Sequence, residues 1–147
     1  MIPIDANLLL YAYDPSKSEH PRARAWLEST FSSEPQIGLP LVSVLAFVRI
    51  ATDRRIIETP LNAERACDIV HTWLARDNVW MLEPGSRHWS IFGETLRDAG
   101  ASGPRVTDVH LAALAIEHGA TFFTNDRDFR IFPKLAVRFP ILERRDR

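Results

Sequence analysis

One stretch, VTDVHLAALAIEHGATFFTNDRDF at residues 106–129, restricts the fold more than any other. Thr107 reads as the cap of a helix that runs through His118, and Gly119 stands where helices commonly stop. ATFFT then reads as a short buried strand. A helix turned straight into an apolar strand belongs to a parallel sheet with crossover helices. The rest of the chain alternates in the same way. MIPID is a strand ending at Asp5, and ANLLLYAYD is a helix that stops at Asp14-Pro15. SKSEHPRARAWLESTF is a second helix, with Ser18 as its cap and Trp26, Leu27 and Phe31 inward. PQIGL is a strand, and PLVSVLAFVRIATD, apolar nearly all round, is a buried helix from Pro40. ETPLNAERACDIVHTWLARD carries a helical stripe of Ala66, Ile69, Val70, Trp73 and Leu74. VWMLE is a strand. RHWSIFGETLRDAG is a helix capped by Ser86, with Trp89, Phe92 and Leu96 inward, and AVRFPI is the last strand. The fold class is α/β, with a central, mostly parallel sheet.

The chain of 147 residues reads as one domain, residues 1–147, and no stretch resembles an interdomain linker. Cys67 is the sole cysteine, so no internal disulfide can form, and its helical neighbours place it in the core. That fits a reducing cytoplasm. No apolar run reaches the ~20 residues that span a bilayer, and no secretory leader is evident. A net charge of −1 excludes the large basic excess of nonspecific nucleic-acid binders. The 18 basic residues are nevertheless almost all arginine, Lys17 and Lys134 excepted, and arginine is the better phosphate clamp.

Ligands of open α/β sheets sit beyond the carboxyl ends of the strands. Asp5 ends the first strand, Asp126 lies just past ATFFT, and Asp108 opens a helix whose preceding loop returns to the same edge. Each has a plain structural role as well: a helix cap, a dipole partner or a turn residue. Gathered together, their charges repel, and a cation removes that repulsion. Oxygen-only donors point to a hard ion, Mg²⁺ or Mn²⁺, which serves phosphoryl chemistry.

IDANLLLYAYD, VTDVHLAALAIEHGATFFTNDRDF and the FP after it resemble the PIN domain, and more narrowly the ribonuclease toxins of VapBC toxin–antitoxin pairs. The resemblance covers nearly the whole chain. It implies a three-layer α/β/α fold and a Mg²⁺-dependent endoribonuclease that cuts structured RNA such as transfer RNA. It also implies a cognate antitoxin protein, received by a groove that the first helices help to form, and a homodimer. Asp5, Asp108 and Asp126 match the catalytic and metal-binding acids. Asn7 matches the polar companion of Asp5, and Thr124 a hydrogen-bonding support in the T-x-D motif. Asp128 would assist through a water. Arg49, Arg105 and Arg127 are candidates for phosphate contacts.

One departure stands out. The family places a glutamate in the helix after the second strand, and PLVSVLAFVRIATD has none; Phe47 or a neighbour fills the slot. Asp53 is a stand-in if its loop bends back. The loss leaves two alternatives open: a PIN module that acts by protein or RNA binding, and a DNA-directed metal nuclease.

Other constellations carry less. His110 and His118 lack the i, i+4 spacing of a helical zinc pair. His88 reads as half-buried. Trp26, Trp73, Trp80 and Trp89 read as core. Asn7 stands where a haloacid-dehalogenase phosphatase needs a second aspartate.

Overall fold

The computed structural model describes residues 1–142. Five short strands carry the architecture: β1 (Ile2–Pro3), β2 (Ile37–Pro40), β3 (Val79–Leu82), β4 (Phe122–Phe123) and β5 (Val137–Arg138). All their pairings are parallel. β1, β2 and β3 form one ladder and β4 and β5 another. A single parallel bridge, Ile4 to Phe123, joins the two, so the strands run β3-β2-β1-β4-β5.

Six helices connect them: α1 (Ala6–Tyr13), α2 (His20–Ser33), α3 (Leu41–Ala51), α4 (Ala63–Leu74), α5 (His88–Ala99) and α6 (Val106–Glu117). Successive strand residues face opposite sides of a sheet. Phe122 packs in a cluster with Val109, Leu111 and Ala112 of α6, whereas Phe123 packs against the cluster of α1 to α4. The sheet therefore lies between two helical layers. The first is aromatic, with Phe47 and Trp73 rings 4.8 Å apart, and the second leans on the alanine-rich face of α6.

Gly119 ends α6 as its residue type demands. It sits at φ 61°, its N–H donates to Ile116, and Ala120 donates to Ala115. This double closure needs a left-handed residue, which only glycine adopts cheaply.

Several local expectations need correction. Glu19, Arg87 and Arg105, not Ser18, Ser86 and Thr107, precede their helices, and none contributes a side-chain cap. Cys67 is exposed. Trp80 is 47% exposed and Trp89 is 78% exposed, stacked outside Phe92 at 5.0 Å. Trp73 is buried in the core as expected, and Trp26, partly buried, packs against it. α3 is not buried all round, since Leu41 and Leu45 face outward. No helix among the described residues is long and apolar enough to cross a membrane.

Candidate active site

Asp5 leaves β1 and caps α1. Its Oδ1 accepts the N–H of Ala6 at 2.8 Å, and its own N–H donates to Phe123 of the neighbouring strand at 2.9 Å. That bond sets Thr124, fully buried, beside it. The Thr124 hydroxyl donates to Asp5 Oδ2 at 2.6 Å. The same hydroxyl oxygen accepts from the Asp126 N–H at 3.0 Å and from Asn7 Nδ2 at 3.2 Å. Asn7 Nδ2 also reaches Asp5 Oδ2, and Asn7 Oδ1 accepts from the Asn125 N–H. The network spans residues 5 to 126 and is saturated around one hydroxyl, which fixes both the Asp5 rotamer and the turn that presents Asp126.

The electrostatics show how closely the acids gather. Asp5 is only 9% exposed. Burial pushes its pKa from 3.8 up to about 6 against the hydrogen bonds from Thr124 and Ala6, with Asp108 and Asp126 adding repulsion. Asp108 is raised as well, first by burial and then by Asp126, while Arg105 pulls it back. The three carboxylates thus lie within one another's field, each from a different element. Among the described residues, no three His, Cys, Asp or Glu side chains are set closely enough to enclose an ion unaided. Mg²⁺ does not ask for that: it keeps several waters and takes one or two carboxylates directly.

A cavity of about 330 Å³ opens between α1, α3 and α6, bordered by Asp5, Ser43, Arg49 and Asp108. It resolves the question of the missing glutamate. Phe47 is fully buried in the first core, edge-on to Tyr13 and against Trp73, so it does not face the acids. Ser43 and Ala46 face them instead. Ser43 is 1% exposed, and its hydroxyl has no hydrogen-bond partner among the described residues. It adds an unpartnered oxygen to a lining that already includes Asp5 and Asp108, and oxygen donors of this kind fit a hard cation. Sequence reasoning passed over Ser43; the signal was a lone polar residue inside an apolar helix that begins at a strand's carboxyl end.

The remaining candidates divide. Arg49 borders the cavity. Arg105 reaches Asp128 Oδ2 at 3.4 Å, both side chains being exposed. The Asp128 N–H donates to Asp126 Oδ1, so Asp128 stiffens the Asp126 turn. Arg127 is exposed, with no side-chain hydrogen bond among the described residues. Asp53 does not bend back: it is clamped by Arg55 at 3.0 Å, which holds its carboxyl below the usual range. His110 meets His88, not His118, across 2.9 Å, and His118 contacts the Glu83 carbonyl. His88 is buried rather than half-buried.

The chain matches the PIN domain family over residues 2–135. It is 38% identical over 143 residues to ribonuclease VapC33 of Mycobacterium tuberculosis, covering 97% of this chain and 100% of that one. It is 36% identical over 141 residues to ribonuclease VapC43 of the same organism, covering 96% of each. In structure it is similar to VapBC2 from Rickettsia felis bound to a promoter DNA fragment, with a TM-score of 0.67 at 19% identity over 94% of this chain and 98% of that one. It is also similar to VapC20 of Mycobacterium tuberculosis, a sarcin-ricin loop cleaving toxin, with a TM-score of 0.62 at 14% identity over 95% and 100%. The three-layer parallel sheet, the acids at its carboxyl rim and these full-length identities converge: the chain belongs to the PIN-domain family and, within it, to the VapC ribonucleases of toxin–antitoxin pairs.

Proposed function

We propose that this ribonuclease is a Mg²⁺-dependent endoribonuclease whose reaction is carried by Asp5, Asp108 and Asp126. The observation that supports it most is the buried Asp5, forced toward neutrality by its surroundings yet locked in place by Thr124, Asn7 and Ala6. A fold that spends stability on a raised, immobilised carboxylate next to two others is organised for a cation. The three carboxylates would hold the ion directly or through water, with the Ser43 hydroxyl in the place of the family's glutamate. When bound, the ion supplies Lewis acidity, sharpening a water for in-line attack and neutralising phosphate charge. Asp126 or Asp108 would orient the attacking water. Asn7 and Thr124 keep Asp5 and Asp126 from drifting apart. Arg49, at the cavity mouth, and Arg105 and Arg127, on the outer side, meet the phosphate backbone.

The substrate we propose is structured RNA of the transfer-RNA kind, met in the cytoplasm. The partner is an antitoxin protein, laid into a groove of about 610 Å³ between α1, α2 and α4, with Leu27, Phe31 and Trp73 along it. Helix-in-groove recognition suits such a surface. A homodimer follows from the family resemblance.

The test is incubation of the purified protein with total RNA in Mg²⁺, in Mn²⁺ and in chelator, beside Asp5→Asn. Cleavage that needs the metal and Asp5 is the expected result. Cleavage that persists in chelator or in the variant removes the metal mechanism. Silence in both metals leaves a binding module, and a preference for branched DNA leaves a different nuclease.

A further inference from the structure

A second buried aspartate lies at the far end of α1, outside the candidate active site. Asp14 is 7% exposed. Its Oδ1 accepts from the Ser16 N–H at 3.0 Å and from the Ser16 hydroxyl at 2.6 Å. Its Oδ2 is buried and has no hydrogen-bond partner among the described residues. A carboxylate oxygen removed from water without a donor is among the more expensive groups a fold can carry.

Asp14 is one of the residues that line a cavity of about 220 Å³. That is room for a long side chain rather than for one solvent molecule, whose share of liquid volume is ~30 Å³. Its walls are apolar, with Leu10, Phe47, Ile57 and Leu61 prominent. Among the described residues its charged lining is Asp14 and Glu58, with no Lys, Arg or His. The site is therefore mostly apolar, with two acids and one carboxylate oxygen that lacks a donor. Asp14 also caps the carbonyl end of α1, which adds partial negative charge beside it.

We infer that this cavity receives a cationic side chain, arginine or lysine, from a peptide partner. Such a side chain lays its methylene stem on apolar surface and keeps the charged head for a polar contact. A peptide fits better than a free amine because the cavity adjoins the larger groove between α1, α2 and α4: Tyr13 and Pro15 line both, so a chain lying in that groove runs beside the cavity. The identity of the peptide as an antitoxin segment rests on the toxin–antitoxin reading; the cation specificity does not.

The probe is acetyl-Leu-Arg-Leu-amide, with its neutral citrulline counterpart and agmatine as comparisons, followed through backbone amide signals in ¹⁵N-labelled protein. The arginine peptide is expected to move the signals of Tyr13–Ser16 and Ile57–Leu61, and to bind at least about fivefold tighter than the citrulline peptide. Asp14→Asn keeps the Ser16 contacts and is expected to erase that preference. No response to the arginine peptide, equal binding of citrulline, or a preference that survives Asp14→Asn overturns the proposal. Agmatine binding as tightly as the peptide overturns the peptide assignment in favour of a small amine. Should Asp14→Asn not fold, Glu58→Gln together with the arginine–citrulline pair carries the same decision. None of these peptides is an antitoxin sequence, so failure here leaves the toxin reading standing. That reading fails separately, if the product of the neighbouring gene does not block RNA cleavage.

Discussion

Helix α1 holds a buried aspartate at each end, and the chain treats the two differently. Asp5, at the amino end, is saturated: Ala6, Asn7 and Thr124 all donate to it, and the helix dipole favours its charge. Its difficulty is crowding by Asp108 and Asp126. Asp14, at the carboxyl end, sits at the unfavourable pole with one oxygen satisfied and the other bare. On the proposed reading the first is held rigid for a cation, and the second is an acid that still lacks a partner for one oxygen. A fully bonded acid suits chemistry, where geometry must not move, and a half-bonded acid suits recognition, where a newcomer must gain something by binding.

The largest effect that separates the two ends is catalytic. Asp126→Asn leaves the Thr124 network and removes a charge from the rim. RNA cleavage is expected to fall roughly 100-fold or more, the scale on which oriented charge contributes at active sites. Asp53→Asn, which touches only the Arg55 clamp, is expected to leave the rate unchanged. Gel assays at matched protein concentration compare the two.

Next comes stability against pH, measured without divalent metal. The folded Asp5 titrates near 6 and the unfolded one near 3.8. Below pH 3.8 both states hold the proton and there is no penalty. As pH rises the unfolded chain ionises first, so stability falls until pH passes about 6 and is then level. Asp5→Asn escapes this loss. At pH 7 it is expected to be more stable than the native chain by up to roughly 3 kcal/mol, at 1.36 kcal/mol per unit of pKa difference. The gain is expected to shrink toward pH 4. Denaturant melts at the two pH values decide it, and a pH-independent gap breaks the account of Asp5 as a crowded acid.

Thr124→Val tests the hydroxyl that binds the rim together. It strips a donor from Asp5 and an acceptor from the Asp126 N–H, and is expected to cost about 1–3 kcal/mol. It should also move the Asp5 transition further upward, because a lowering contact is gone. The smallest effect belongs to Asp14→Asn. Relief of an acid at a helix carboxyl end is expected to stabilise by about 0.3–1 kcal/mol. A substantial loss of stability instead would mean that Asp14 is structural and not held open.

The acids of the rim were legible in the sequence because each occupies a position with a topological meaning. Asp5 and Asp126 follow apolar strands, and Asp108 begins a helix that returns to them. What stayed hidden was phase. The apolar run of α3 offers no periodic signal, so the sequence narrows the slot only to Phe47 or a neighbour; the structure turns the neighbouring Ala46, with Ser43, toward the cavity. For the same reason Trp89 was set inward on the stripe of α5: a stripe says which residues share a face, not how far that face is covered. Cys67 fell one position outside the buried stripe of α4, where Ala66, Ile69 and Val70 point in. Asp14 looked like a helix stop and nothing more, since an unpaired oxygen is visible only in three dimensions.

The single bridge from Ile4 to Phe123 joins the two ladders of the sheet, and Asp5 and Thr124 stand immediately beyond it. The hinge of the sheet is thus also the birthplace of the rim. A growing polypeptide on the ribosome carries Asp5 from its first moments, but Thr124 and Asp126 follow more than a hundred residues later. Until they emerge and dock, the acids have no common address. On the proposed reading the rim is therefore incomplete until synthesis has nearly ended.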